Sequence, residues 1–219
     1  MINLGATYEN LDQKAYQVIK KMIEDGQLLP GKKISQEKLA SDLGISRTPL
    51  VSALKYLEKE KLIEAIPRRG FRVRRFTLEE MVHIFELREV LEGLAARRAA
   101  TIIKDEEIAE LNRFFEDFKG MQDISDFQQY SREDKRFHNF VTGIGAKEFL
   151  QSILETYNVI SFSYQLGSFA GLVRRPNETI QEHLSVIEAI SDRDPLSAED
   201  LMRRHFKKSA ASLRKEIDK

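Results

Sequence analysis

Between Gln36 and Lys61 two helical apolar patterns are separated only by Gly44 and Ile45, and so short a link turns the second helix sharply away from the first. Leu39, Ala40 and Leu43 line one face of the first segment, which Ser35 opens and Gly44 closes. Ser46 opens the second as an N-cap, with Arg47 and Thr48 behind it and Pro49 in the first turn, where its missing N–H is no loss. That helix continues through Leu50, Leu54 and Leu57 to about Lys61. Another helix precedes the pair, Leu11 to Glu24, with Ala15, Val18, Ile19 and Met22 at helical spacing. A hairpin follows, with strands Leu62–Ile66 and Phe71–Val73 around Pro67-Arg68-Arg69-Gly70. This order predicts a winged helix-turn-helix with a small β-hairpin.

A helix-turn-helix offers the tip of its second helix to base edges in a major groove. Ser46, Arg47 and Thr48 occupy that tip. At the hairpin tip Arg68 and Arg69 can reach phosphates or a minor groove, and Gly70 lets the backbone come close. Charge agrees with this. The whole chain balances 35 basic against 35 acidic residues, yet Met1 to Phe76 holds 15 Lys and Arg against 9 Asp and Glu. The remainder holds 20 against 26, so a basic head precedes an acidic body. Taken singly, each feature has a plainer reading as a capped helix, a solvated arginine or an ordinary charged turn. Together they point to nucleic acid, with a protein-binding winged helix as the alternative.

The chain's 219 residues suit one large domain or two modest ones, divided here as residues 1–76 and 77–219. With no cysteine, disulfides, thiolate zinc sites and cysteine nucleophiles are excluded. Met1 to Glu9 lacks the pattern of an export signal, and a cytoplasmic location is expected. The uncharged stretch Thr156 to Val173 grazes the length of a membrane span, but its Ser, Thr, Asn and Gln content reads as a buried helix leading into a loop. No membrane partner is expected.

After Phe76 the pattern is helical throughout, and the spacing predicts an all-α antiparallel bundle. The expected helices are Leu78–Ile103, Glu106–Lys119, Phe127–Thr142, Lys147–Tyr164, Glu178–Ser191 and Ala198–Ile217, with Asn177 and Ser197 among the starts and Gly120 and Gly143 as stops. Asp134 and His138 are four apart, on one helix face. His183 and His205 are equidistant from Asp194, so an antiparallel hairpin turning there sets them at one height. One Asp and three His form a set suited to a divalent metal, zinc or nickel ahead of manganese or iron. On spacing alone the other reading stays open: Asp134 and His138 as a surface pair, with the other rings packed against neighbours. His83 stands apart from the set.

The stretch Pro30 to Val73, with "LGISRTPL", the following "LE" pair and the "PRRGFRV" wing, resembles the winged-helix head of the GntR family of bacterial transcription regulators. The resemblance implies that Arg47 and Thr48 contact operator DNA, with Ser46 beside them and Gly70 at the wing tip. One departure is Val51-Ser52-Ala53 after Leu50, where the family has a second arginine, which implies a different base preference here; Glu37, where some members place an arginine, is another. "ELREVLEGLAARRAA", "DKRFHNFV", "EHLSVIEAISDRD" and "MRRHF" resemble the effector domain of the family's FadR branch. That likeness implies a metal held by Asp134, His138, His183 and His205, a small carboxylate metabolite bound to it, and a homodimer on an inverted-repeat operator. Arg88 matches an arginine that faces the pocket, its plainer role being a surface pair with Glu92. Tyr157, Asn158, Ser161 and Tyr164 are further lining candidates.

The function expected is therefore a sequence-specific DNA-binding regulator, a repressor, and not an enzyme. A metal-dependent hydrolase with a DNA-targeting head is the rival. It lacks an HExxH stretch, and Glu182, the nearest carboxylate for a general base, should point off the ligand face.

Overall fold

In the computed structural model, which describes residues 10–121, 123–147, 150–154, 156–157 and 173–218, Gly44 takes the left-handed conformation, φ 63° and ψ 31°. It ends α2 (Gln36–Leu43), which follows α1 (Leu11–Glu24), and leads into α3 (Arg47–Lys59). Ser35 caps α2, its hydroxyl accepting from the Lys38 N–H at 3.4 Å. Ser46 holds the N-cap position of α3 in extended backbone, but its hydroxyl makes no capping bond. Helix α3 stops two residues short of Lys61. There Lys61 turns left-handed, φ 64°, and the Leu62 N–H returns to the Leu57 carbonyl at 3.0 Å, a closure usually given to glycine.

Strands β1 (Lys33–Ile34), β2 (Ile63–Ile66) and β3 (Gly70–Val73) form an antiparallel sheet in the order β1-β3-β2. Strand β1 was not expected from the sequence, because two residues are too few to show alternation. It pairs Lys33 with Arg72 and Ile34 with Phe71. In α1 the inward positions are Ala15, Ile19 and Ile23, while Val18 is 44% exposed. These join Leu50, Leu54, Leu57 and Phe71 in the core of the first of two units, which ends at Arg75.

The second unit begins at Phe76 and, among the described residues, is all-helical. Its axis is α4 (Leu78–Ile102), opened by a capping box in which Thr77 and Glu80 each accept the other's backbone N–H. Around it lie α5 (Asp105–Leu111), α6 (Phe127–Gly145), α7 (Pro176–Ser191) and α8 (Pro195–Ile217). Helix α8 packs along α4, which also meets α6 and α7. Burial follows one broad face of α4, from Met81 through Phe85, Arg88, Glu92 and Ala95 to Ala99, while His83, Leu87, Val90 and Arg97 on the other side are exposed.

Four expected boundaries move for physical reasons. The helix expected to Lys119 ends at Leu111, since Phe115 turns left-handed at φ 62° to drive its ring fully inside, and a short 3-10 turn, Glu116–Phe118, follows. Helix α8 starts at Pro195, not Ala198, because Asp194 accepts from the Leu196 and Ser197 amides, both at 3.1 Å. Asn177, expected to open α7, lies inside it behind Pro176 and gives its carbonyl oxygen to the Ile124 N–H. Gly143, expected as a stop, lies within α6. Residues 150–154 and 156–157 are helical; Asn158 to Tyr164, the rest of the expected helix, lies outside the described residues. Among the described residues no helix is long and apolar enough to cross a membrane.

Helix α6 ends against the backbone of α4. A β-carbon on Gly145 would stand 1.9 Å from the Ala95 carbonyl oxygen and 3.0 Å from the Ala99 nitrogen. Gly143 is exposed, and a β-carbon there meets no described atom within 4 Å. Gly145→Ala should therefore destabilise the protein by about 1–3 kcal/mol through overpacking. Gly143→Ala should stabilise it by about 0.5–1 kcal/mol through the lower entropy of alanine in the unfolded chain. Urea midpoints of the two variants test this, and equal shifts would refute the close contact.

Candidate functional site

Helix α6 carries Asp134 and His138, α7 carries His183 and α8 carries His205, and the three imidazoles meet in the middle of the unit. Ring centroids are 5.3 Å apart for His138–His183, 5.3 Å for His138–His205 and 4.5 Å for His183–His205. All three are buried, and one ring nitrogen from each lies within 4.8 Å of the others. Asp134 Oδ1 stands 3.4 Å from His183 Nε2. His83 is exposed on α4 and takes no part.

A second layer fixes which nitrogen of each ring faces the centre. His138 Nδ1 is 2.7 Å from Glu92 Oε2, and His205 Nδ1 is 2.9 Å from Glu182 Oε2. Carboxylates only accept, so both Nδ1 atoms carry hydrogen. For His183 the assignment runs through a chain. The Thr179 hydroxyl donates to the Pro176 carbonyl at 3.3 Å, so it accepts from the Tyr130 hydroxyl at 2.6 Å. Tyr130 then accepts from His183 Nδ1–H at 3.1 Å. With each Nδ1 engaged in this way, Nε2 is the nitrogen each ring leaves for a ligand. That of His183 is buried with no hydrogen-bond partner among the described residues.

Sequence reasoning missed this layer. Glu92 is not a surface partner of Arg88: the two are 0% and 3% exposed, and Arg88 Nε donates to Glu92 Oε1 at 2.6 Å. The Arg88 guanidinium lies over Phe206, 4.5 Å from the ring centroid. Its i,i+4 spacing to Glu92 was the available signal, but spacing does not report burial. Glu182 sits on the Nδ1 side of His205, where Arg174 grips both its oxygens at 3.0 and 2.6 Å and Lys208 adds a third bond at 2.8 Å. A carboxylate so occupied is not a free general base. Phe115 stacks flat on His183, centroids 4.8 Å apart and planes 9° from parallel. Tyr157 is half-buried, while Asn158, Ser161 and Tyr164 lie outside the described residues.

Ionisation follows this arrangement. Burial holds His183 well below the ordinary histidine range, helped by His205, His138 and Arg174. Burial also lowers His205, against the opposing hydrogen bond to Glu182. For Glu92 burial pushes upward, but Arg88 and His138 together leave it lowered. Burial pushes Glu182 upward too, and bonds from His205, Arg174 and Lys208 overcome that and keep it ionised. Burial, with Asp134 behind it, raises the Tyr130 phenol and keeps it neutral. Three imidazoles tied back at Nδ1, with Nε2 left for a ligand and one carboxylate beside them, make a donor set that suits a divalent cation. The residues present fit such an ion.

In the first unit, Ser46, Arg47 and Thr48 are exposed on the first turn of α3. Arg68 and Arg69 are exposed between β2 and β3. The Arg69 N–H bonds the Ile66 carbonyl at 2.8 Å, and Arg68 takes φ 59°, a position where turns favour glycine or asparagine. Gly70 has φ 93°, closed to other side chains without strain.

A recognition helix with a polar, cationic first turn and an arginine-tipped wing is a DNA-reading head, so this chain is a two-part DNA-binding regulator. Its family follows from two matches. Residues 11–73 match the model for bacterial regulatory proteins of the gntR family, and residues 83–208 match the FCD domain model; the chain belongs to the GntR family, with an FCD domain behind its head. It is similar to the uncharacterized HTH-type transcriptional regulator YdhC of Bacillus subtilis (strain 168), 27% identical over 87% of this chain and 85% of the relative. The gluconate operon transcriptional repressor of Bacillus licheniformis is 27% identical over 81% of this chain and 72% of its own length. Among solved structures, E. coli McbR/YncC shares the fold with a TM-score of 0.73 at 19% identity, over 94% of this chain and 98% of that one. Both Bacillus relatives are transcriptional regulators by description.

Removing one partner of the Arg88–Glu92 pair strands a buried charge. Glu92→Ala should cost about 3–5 kcal/mol, whereas the joint change Arg88→Met with Glu92→Leu should restore only part of it, because His138 Nδ1–H still loses its acceptor. Urea unfolding of the three proteins checks this. A small loss in the single variant would mean that the pair is solvated.

Proposed function

We propose that this protein is a repressor whose operator affinity is set by a small carboxylate metabolite bound at a divalent metal ion in the FCD domain. The observation that carries the reading is the buried Nε2 of His183, which has no hydrogen-bond partner among the described residues and faces the same centre as two other imidazoles whose Nδ1 atoms are tied back. A polar atom so placed is costly unless something coordinates it. Asp134, His138, His183 and His205 would hold the ion, zinc or nickel ahead of manganese or iron. A bound divalent ion supplies an open coordination position for a carboxylate. Arg88 is the second grip: its bond to Glu92 uses Nε, so the terminal guanidinium nitrogens remain for a ligand. The name of the gluconate operon repressor supports a ligand of this class, gluconate being a small carboxylate.

In the first unit Arg47 and Thr48 read bases, Ser46 lies beside them, and Arg68, Arg69 and Gly70 engage the backbone or minor groove. The operator is an inverted repeat bound by a homodimer in the cytoplasm. Effector acts through a difference in its affinity for the two operator-binding states. The linkage is short, because β3 ends at Val73 and the cap of α4 is Thr77.

Two measurements test the reading. Capture and sequencing of genomic fragments bound by the purified protein, with and without zinc or nickel, should enrich an inverted repeat. On that repeat Arg47→Ala should weaken binding by about 1–3 kcal/mol, the range of one bidentate base contact, while changing affinity for unrelated duplex far less. Equal losses on both duplexes would remove its base-reading role. The double variant His138→Ala with His183→Ala should carry no metal by elemental analysis and no longer respond to carboxylates. Full metal occupancy in that variant would sink the metal site.

A further inference from the structure

Helix α3 turns Leu50, Ala53, Leu54 and Leu57 into the core, all four of them fully buried. Along the flank leading away from that core, successive turns set Arg47, Val51 and Lys55 one above another, with Thr48 and Ser52 alongside. Arg47, Thr48 and Lys55 are exposed, and Val51 and Ser52 are half-buried. Cations at the two ends of this strip suit a groove walled by phosphates. The valine between them does not, since it offers neither charge nor hydrogen bond and still leaves part of its surface in water.

A major groove has one apolar feature, the 5-methyl group of thymine. We propose that Val51 is a specificity-determining residue that packs against a thymine methyl in the operator, one helical turn along α3 from the base contacted by Arg47. This rests on the reading that α3 enters the major groove. Valine in a helix is almost confined to one rotamer, so its two methyl groups are presented without further loss of freedom. It cannot donate to guanine O6 or N7, nor accept from the cytosine amino group, so a G·C pair opposite it leaves polar edges unmet. Discrimination at that step comes from apolar contact on one side and from desolvated base edges on the other.

Selection from randomised duplexes with the unmodified protein gives the preferred site. In that duplex each thymine is then replaced in turn by deoxyuridine, which lacks only the methyl group, and binding is followed by fluorescence anisotropy. One replacement in each half-site should weaken binding by about fourfold, the value of one buried methyl group. Val51→Ala, which removes the contact from both half-sites at once, should weaken binding to the thymine duplex by about sixteenfold, the square of the single-replacement loss, and be indifferent to the uracil change, while Val51→Thr, which keeps the shape and one methyl, falls between. Val51→Arg should move the selected pair towards guanine. Three results would overturn the proposal: a selected site with no fixed A·T pair, no uracil replacement that weakens binding, or a uracil penalty that persists in Val51→Ala. If these occur while Arg47→Ala still abolishes specificity, α3 reads bases without Val51. If Arg47→Ala is also silent, the recognition-helix reading falls with it.

Discussion

Charge buried in the helical unit must be paired, and meeting that requirement joins the helices around the histidines. Glu92 on α4 takes Arg88 with one oxygen and His138 of α6 with the other. Glu182 on α7 takes His205 of α8 and is held by Arg174. Tyr130 of α6 closes the set through His183 and Thr179 of α7. These are links between helices made by polar groups that could not remain inside unlinked. The geometry of the histidines is a by-product: once every Nδ1 is engaged outward, every Nε2 is left facing the centre. A cluster of this kind is under-satisfied by its own protein, which is the opposite of what a purely structural polar network achieves.

The parts legible in the sequence were those set by local rules. Gly44 and Ile45 define the turn because only glycine takes left-handed backbone freely, and Asp134 with His138 share a face because helical spacing is fixed. The approach of His183 to His205 follows from their equal distance along the chain from Asp194, where the α7–α8 turn falls. The parts that were not legible depend on what lies across the fold. Glu92 looks like one more acid in a charged helix until α6 lays His138 on it. Phe115 breaks a run of good helical pattern because the space beside His183 is worth more to an aromatic ring than another turn of helix. Strand β1 exists only because β3 is there to pair with it. Tertiary contact overrides propensity in each of these, and no window of sequence contains the contact.

Left-handed backbone outside glycine separates two kinds of position. Lys61, Arg68 and Arg193 stand where short turns are demanded, closing α3, turning the wing and joining α7 to α8, and all three are cations. The conformational cost of such a residue, about 1–2 kcal/mol, is accepted for a side chain that glycine would not supply. Phe115 is different in kind. Its backbone N–H goes to Glu133 Oε1 at 3.2 Å, and its ring is fully buried, so local strain is offset by packing rather than by surface charge. Strain next to the histidine cluster and strain at the wing therefore have separate causes.

The route from the cluster to the head is constrained by α4. Glu92 lies near the middle of that helix, and the same helix begins at Leu78, three residues of linker and one cap after the last residue of β3. Asp134, His138, His183 and His205 would hold an ion, and of the Nδ1 bonds behind the three rings the one from His138 to Glu92 is the one that reaches α4. Packed helices move as units and resist gradual deformation. The capping box of Thr77 with Glu80 keeps the start of α4 from fraying. The buried Arg88–Glu92 pair, which contributes little net stability by ordinary accounting, thus ties the histidine cluster to α4 through His138.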